Sequence, residues 1–363
     1  MTDSDHASTS SHDDVAVRAP TEKGTVPAPT GDTRRGPALS ILERSFLNRF
    51  QGGFPLTPRP FRTVAAELST DEHTLIAIIR GMLDKGLLSR FGPLYDAERI
   101  GGCFTLAAMA VPEPHFEHTA EILDSIPEVA HNYHRDHRLN MWFVLATSNK
   151  GKRADTIRRI QSLTGLMVYD FPKLKEYHLG FWLHLDPHGG IAVRRIECDR
   201  PAIPPNLDDL DRAIVAATQA GYPLETVPFC AIAARAGCDT STVIHRLSRM
   251  LEVGVIRRIG AVPNHYRLGL RGNCMSVWDL DDAQVDTLGA EIGALDGVSH
   301  CYLRPRRLPL WPYNLFAMVH GQNREQARNA AARIEAIVAG HCRARELLFS
   351  EAILKKTGLR FLD

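Results

Sequence analysis

The sequence predicts an α/β protein made of one unit repeated in tandem, a winged helix-turn-helix followed by a ferredoxin-like βαββαβ module, and three observations lead there. Gly53-Phe54-Pro55-Leu56 returns as Gly221-Tyr222-Pro223-Leu224, and Gly86-Leu87-Leu88-Ser89-Arg90-Phe91-Gly92 as Gly254-Val255-Ile256-Arg257-Arg258-Ile259-Gly260, both 168 residues further on. Val129-Ala130-His131-Asn132-Tyr133 pairs with Val298-Ser299-His300-Cys301-Tyr302, and Asn140-Met141-Trp142-Phe143 with Asn314-Leu315-Phe316-Ala317. Within each half, helical spacing gives way to strand-like alternation, the order of a helical domain followed by a strand-rich one.

Residues 1–38 carry Ser, Thr, Asp, Pro and Gly with almost no large apolar side chains, so they cannot offset the entropy of ordering and are expected to be disordered. Residues 39–98 read as the first winged helix-turn-helix, with a second helix beginning near Phe61 and a third after Ser69. Residues 99–185 read as the first ferredoxin-like module, and 186–206, rich in Pro and Gly without periodicity, as a linker. The second winged domain spans 207–266. Its third helix is the best signalled, since Asp239 can cap it, Val243, Leu247 and Leu251 recur at helical spacing, and Gly254 stops it before the Val-Ile-Arg-Arg-Ile wing hairpin. In the second module, 267–363, a strand over Asn273–Leu280 precedes a helix striped by Val285, Leu288, Ile292 and Leu295. Strands over Val298–Tyr302 and Asn314–His320, a helix over Arg324–Val338 and a last strand over Ala344–Phe349 complete the split βαββαβ order. The two modules are expected to pair sheet to sheet, so that one chain imitates a homodimer.

Composition narrows the partners. With 363 residues, 44% hydrophobic and 23% charged, the chain can bury sizeable cores. Its 43 Lys and Arg nearly balance 42 Asp and Glu, so nothing advertises the broad basic surface that phosphate-backbone binding needs. The seven cysteines, with no CxxC pair, read as reduced thiols rather than a zinc or redox site. No apolar run approaches membrane-spanning length and no secretory signal opens the chain, which predicts a cytoplasmic protein.

Chemistry concentrates in the loop between the second and third strands of each module. Repeat one has Tyr133, His134, Arg135, His137, Arg138, Asn140 and Trp142 within ten residues; repeat two has Arg304, Arg306, Arg307, Trp311 and Tyr313 in a longer version. Guanidinium forks bind carboxylates bidentately and aromatic rings pack on flat faces, so such a loop suits a flat polyanion. The alternative is a solvated basic turn; recurrence in both halves favours function. His137 reads as a proton donor near neutral pH or as a surface histidine. His131, His134 and His300 are candidates to ligate an iron, with no spacing that separates a ligand from a strand-end side chain. Trp142, Trp182 and Trp311 have core positions as their commoner fate. Lys175, Lys355 and Lys356 follow the last strands, either solvated or reaching ligand carboxylates.

A helix-turn-helix has DNA as its default partner. The third helix of repeat two offers Ser241, Thr242, His245, Arg246 and Arg249, but that of repeat one begins Thr70-Asp71-Glu72-His73 and has only Arg80, late in the helix. Carboxylates there repel phosphates, and two unequal readers do not suit a two-fold operator, so DNA is not expected.

The stretch Asn132 to Phe143, the pair of segments Cys301 to Arg304 and Trp311 to Phe316, and the Lys355-Lys356-Thr357 ending resemble the siroheme decarboxylases, relatives of the AsnC/Lrp regulators. The resemblance covers about Leu39 to Phe361, with repeat one similar to the first paralogous subunit and repeat two to the second. It implies removal of CO₂ from two acetate side chains of siroheme, giving didecarboxysiroheme in haem d1 biosynthesis. It also implies siroheme as partner, other haem d1 proteins as associates, and no cofactor beyond the iron tetrapyrrole substrate. On that reading Arg135, Arg138, Arg304, Arg306 and Arg307 hold carboxylates and His137 protonates the new methyl group. Tyr133, His134, Asn140, Trp142, Trp311, Tyr313 and Lys355 then line the substrate. His178 stands where the family pattern has lysine, so a carboxylate contact there does not carry over. The other readings are a fused AsnC/Lrp-type transcription regulator sensing a small ligand and a non-catalytic tetrapyrrole carrier.

Overall fold

The computed structural model describes residues 26–27, 37–195 and 206–356. The expected disordered tail falls mostly outside these; β1 (Val26–Pro27) lies antiparallel to Ala352 and Ile353. The Ser40 hydroxyl accepts from Glu43 N–H at 3.1 Å while the Glu43 carboxylate accepts from Ser40 N–H at 2.8 Å, a capping box that starts α1 (Ile41–Arg49). Proline opens α2 (Pro60–Glu67), where its missing N–H costs nothing, and Asp71 caps α3 (Glu72–Asp84). Repeat one continues through β2 (Leu88–Tyr95), β3 (Cys103–Met109), α4 (Phe116–Ser125), β4 (Val129–Arg135), β5 (Met141–Thr147), α5 (Lys150–Thr164), β6 (Tyr169–Pro172) and β7 (Lys175–Leu179). A small hairpin, β8 (Trp182–Leu185) and β9 (Ile191–Arg194), follows; β9 lies in the expected linker, of which 196–205 fall outside the described residues.

Repeat two runs α6 (Asp209–Thr218), α7 (Pro228–Ala236), α8 (Thr240–Glu252), β10 (Ile256–Pro263), α9 (His265–Leu268), β11 (Gly272–Leu280), α10 (Val285–Gly293), β12 (Val298–Leu303), β13 (Leu315–Gly321), α11 (Arg324–Val338) and β14 (Cys342–Lys356). Asp239 does cap α8, its carboxylate accepting from Thr242 N–H at 2.9 Å.

The two modules share one antiparallel sheet of order β6-β3-β5-β4-β14-β11-β13-β12-β7. β14 outruns its expected end at Phe349: its first half pairs with β11 of its own module and its second half, from Ser350, with β4 of the other. β6 and β7 do the same in the opposite sense, pairing with β3 and then with β12. Only Lys173 and Leu174 separate β6 from β7, so the ends of the strand order are one piece of chain and the sheet curls.

The expected wing hairpins do not form. Instead β2 and β10 pair with each other, Gly92 opposite Gly260, and the helical domains fuse around one core in which Phe91 touches Phe46, Phe54, Phe61 and Tyr222. The Gly-Phe-Pro-Leu repeats serve that crossing: Phe54 N–H donates to the Ile259 carbonyl at 3.0 Å and Tyr222 N–H to the Phe91 carbonyl at 2.8 Å. A side chain at Gly260 has no room, because its Cβ would lie 2.3 Å from the Phe50 carbonyl oxygen and 2.7 Å from Gln51 carbonyl carbon. Backbone cannot yield as a side chain does, so Gly260→Ala is expected to destabilise the protein by about 1–3 kcal/mol or more, read as a fall in Tm. Gly81→Ala, which meets open space on α3, is the control. An unchanged Tm for Gly260→Ala would refute the crossing.

Candidate functional site on the helix-free face of the sheet

Alternation along β4 decides which side chains meet the helices. Asn132 pairs with Phe143, in the core under α4 and α5, whereas Tyr133 pairs with Trp142, in an aromatic cluster shared by the two modules. His131, Tyr133 and Arg135 therefore face away from the helices. On β12 the same reasoning places His300, Tyr302 and Arg304 on that face, since Tyr302 pairs with Phe316 of the shared cluster. The two rows read His-x-Tyr-x-Arg at one spacing. In both, the guanidinium lies over the tyrosine ring, at 5.7 Å for Arg135 on Tyr133 and 5.0 Å for Arg304 on Tyr302.

Arg135 is buried and Arg304 half-buried, and neither makes an ion pair among the described residues. Arg135, 5% exposed, donates one Nη to the Leu348 carbonyl at 2.8 Å, and its Nε has no acceptor. Burial pulls its pKa below the usual range, and the ionisable neighbours that oppose this are Tyr266, Cys274 and Tyr133, none a carboxylate. Arg304 donates to the Phe171 carbonyl, its Nε likewise lacks an acceptor, and burial pushes its pKa down to about 10 against the pull of Tyr302, Asp170 and Glu98. A desolvated cation with spare donors is costly unless an anion arrives to meet it.

Beyond Arg135 the chain turns through the first loop, and His137 comes to rest against the other half. Its Nδ1 accepts from Leu139 N–H at 2.9 Å, so the proton of the neutral ring sits on Nε2, 2.8 Å from the Glu346 carboxylate on β14. The ring meets Trp311 edge-on at 5.6 Å, and the same Glu346 charge, after burial, helps push the Tyr313 pKa up. Burial lowers the His137 pKa while Glu346 opposes it. Glu346, Leu348 and Ser350 follow one face of β14, so Glu346 lies about 7 Å, one pleat repeat, from the carbonyl that holds Arg135.

Other residues proposed from sequence are brought to the two loops but engaged there. Arg138 donates to the Leu310 carbonyl, joining the loops, and Arg307 donates to the Asp170 carbonyl at 2.8 Å. Arg306 is saturated by Asp279 (2.9 Å), Asp282 (2.6 Å) and the Pro312 carbonyl (2.8 Å). Asn140 spends its amide on Val111 N–H and C=O at 2.9 and 2.8 Å, and Asn314 clamps Leu280 in the same way, so this asparagine ties each loop to the end of its first strand. Trp142 and Trp311 are fully buried with Phe171 and Phe316, a core role that leaves them no face for a ligand. His134 turns the other way and packs on Phe116 at 4.4 Å. Lys355 is separated from the loops: its amine caps α4 through the carbonyls of Asp124 and Ile126 at 2.7 and 3.0 Å. Glu346 was missed because a lone carboxylate in a strand carries no signal until its partner strand is known.

The helix-turn-helix arginines are equally engaged. Arg246 bridges Asp208 and Asp211 at 2.6 and 3.2 Å, Arg249 reaches Asp211 at 3.5 Å, and Arg80 donates to the Leu224 carbonyl at 3.0 Å. Cations already neutralised release few counterions from DNA. A gel shift with nanomolar protein is expected to show no salt-sensitive, sequence-specific complex, and such a complex would contradict this scaffolding role. Among the described residues no helix is long and apolar enough to cross a membrane, and no group of three His, Cys, Asp or Glu is placed to hold a metal ion.

Known proteins share this architecture. The family profile of the AsnC-like ligand binding domain matches residues 100–178 and 267–355, and that of the siroheme decarboxylase NirDL-like HTH domain matches 43–88 and 211–257. The siroheme decarboxylase NirDL subunit of Paracoccus denitrificans is 32% identical over 322 residues, 88% of this chain and 97% of that protein. The chain belongs to the siroheme decarboxylase family. A single-subunit relative, the siroheme decarboxylase NirH subunit of Paracoccus pantotrophus, is 56% identical over 156 residues, 43% of this chain and 97% of its own. Among solved structures, siroheme decarboxylase NirDL in complex with an iron-uroporphyrin III analogue aligns at TM-score 0.64 and 27% identity, covering 89% of this chain and 94% of that one. Within this family the chain is a fusion of two repeats, each half completing the sheet of the other.

Proposed function

We propose that this siroheme decarboxylase acts as a carboxy-lyase on two acetate side chains of siroheme, with the iron tetrapyrrole as substrate and no further cofactor. In each event the bond between CH₂ and CO₂⁻ breaks, CO₂ leaves, the electron pair stays on the benzylic-type carbon where the macrocycle spreads it, and one proton converts that carbon to a methyl group. The protein must hold the spectator carboxylates, desolvate the scissile one and supply the proton. Arg135 and Arg304 suit the first task, the rings of Tyr133 and Tyr302 beside those guanidiniums the second, and the His137–Glu346 pair the third.

The observation that carries this reading is the pair of desolvated arginines, one in each half, each with an Nε that has no acceptor and with no ion pair among the described residues. Anaerobic incubation of the purified protein with siroheme is expected to release two CO₂ per tetrapyrrole and to yield didecarboxysiroheme. A spectral shift without CO₂ would make the protein a carrier, and neither response would return it to ligand-sensing regulation.

A further inference from the structure

The short stretch that carries the chain from β6 into β7 places a further cation beside the Tyr302 row. Lys173 Nζ lies over the Tyr302 ring at 5.8 Å, the ring that Arg304 overlies at 5.0 Å, and only 18% of the lysine side chain is exposed. Two carboxylates hold the amine, Glu98 at 2.9 Å and Glu176 at 2.7 Å. They hold it on unequal terms. Glu176 stands opposite Tyr302 in the sheet, is 14% exposed, and is gripped by Arg257 as well, at 3.1 Å. Arg257 in turn reaches Asp96 at 2.9 Å. Glu98 comes instead from the turn after β2, and its side chain is 38% exposed.

The Tyr133 row fills the same places without charge. Arg304 donates to the Phe171 carbonyl as Arg135 does to that of Leu348, so Lys173 and Ser350, each two residues further along, are equivalent. Asp96 N–H donates to the Val255 carbonyl and Asn264 N–H to the Leu87 carbonyl, both at 2.8 Å, which makes Glu98 and Tyr266, two residues on, a second equivalent pair. Glu176 lies opposite Tyr302 where Ile353 lies opposite Tyr133. Serine, tyrosine and isoleucine suffice to build the joint in that half, so its geometry does not require ions. A half-buried lysine with its carboxylates carries a desolvation cost that neutral residues avoid. What the lysine adds is a second cation over one ring, and two cations there can meet two carboxylates of one flat polyanion.

Resting on the tetrapyrrole reading above, we infer that Lys173 is a further carboxylate-binding residue of the site, and that Glu98 occupies it in the ligand-free protein until a substrate carboxylate takes its place. The exchange leaves the charge around Lys173 unchanged, since one carboxylate departs as another arrives. Glu98 is the partner that yields, because its side chain already meets water, whereas expelling Glu176 would take a carboxylate from Arg257 as well.

The test titrates the full-length protein with iron-uroporphyrin III as probe and melts the free variants alongside. Lys173→Ala is expected to weaken binding about tenfold or more, as for loss of a charge-assisted hydrogen bond, while Lys173→Arg stays within a few-fold of wild type. Glu98→Gln keeps the shape of the side chain and ends its competition for the amine, so it should tighten binding about two- to fivefold, the worth of a partly exposed ion pair. In the Lys173→Ala background the same Glu98→Gln change should add nothing, because the competition has no object. A lysine that only braces the joint gives a different pattern: Lys173→Ala lowers the Tm and leaves Kd unchanged, and Glu98→Gln leaves Kd unchanged or raises it. Any of these Kd results overturns the inference, as does a tightening by Glu98→Gln that persists without Lys173. Failure of the wild-type protein to bind iron-uroporphyrin III would instead overturn the tetrapyrrole reading itself.

Discussion

Replacing His137 with Ala is expected to leave siroheme affinity within a few-fold of wild type while slowing turnover by roughly 10²–10⁴, the usual worth of a positioned general acid. The argument rests on where the proton lies. Leu139 N–H occupies Nδ1, so the only proton on the neutral ring is on Nε2, which lies 2.8 Å from Glu346 Oε2, and the Glu346 side chain is 41% exposed. One proton taken up from solvent by the His137–Glu346 pair is the transferable one, and the open edge of the Glu346 carboxyl group is where a carbanion can collect it, leaving the neutral ring and the carboxylate. Glu346→Gln keeps the shape but cannot carry that proton, so it is expected to lose rate to a similar degree. Because burial lowers the His137 pKa and Glu346 raises it, the Glu346→Gln variant should lose its proton sooner as pH rises and move the alkaline limb of the rate profile to lower pH. His134→Ala is the control, since that ring packs on Phe116 on the helix side. Should His137→Ala turn over at the native rate and His134→Ala not, the proton source lies on the other face of β4.

The architecture was legible where periodicity and repetition are strong, and illegible where pairing crosses between repeats. Asp239 as a helix cap, the helix Arg324–Val338 and the strand order of the second module all follow from local spacing and end signals. β14 was cut short at Phe349 because its second half, Ser350–Lys356, is held by a strand more than two hundred residues away in sequence, and alternation alone cannot show that. The wings failed for the same reason. Val-Ile-Arg-Arg-Ile reads as half of a hairpin, yet β10 finds its partner in β2 of the other repeat, through two glycines that admit the crossing.

At the site, residue type was visible and orientation was not. Arg135 and Arg306 look alike in the sequence, as members of the same basic loops. One is buried with spare donors, while the other is neutralised by Asp279 and Asp282, carboxylates from the strand end and the turn after β11. Trp142, Trp311 and Asn140 recur in or beside both loops because they build the joint between modules, so recurrence marked structure as well as chemistry. The contrast between Glu98 and its uncharged counterpart Tyr266 was available from the repeat alignment, in the positions where the halves differ.

Arg304→Ala and Arg135→Ala are each expected to weaken siroheme binding by about 1.5–3 kcal/mol, a ten- to hundred-fold or somewhat larger rise in Kd, as for loss of a charge-assisted hydrogen bond. What distinguishes these arginines from structural ones is the effect on the free protein. Each guanidinium is desolvated without an ion pair, so removing it relieves a cost that only the bound ligand offsets. Against that relief stand one hydrogen bond to a carbonyl, of Leu348 or Phe171, and the contact of each guanidinium with its aromatic ring, so the Tm of the unliganded variants should stay level or rise. Arg306→Ala is expected to behave in the opposite way, lowering Tm because it removes one of the two arginines, with Arg343, that neutralise the buried Asp279 carboxylate, while leaving Kd near wild type. Thermal melts with and without siroheme measure both quantities together. If Arg135→Ala and Arg304→Ala lower the Tm of the free protein and leave affinity unchanged, the two arginines are internal struts and the carboxylates are held elsewhere.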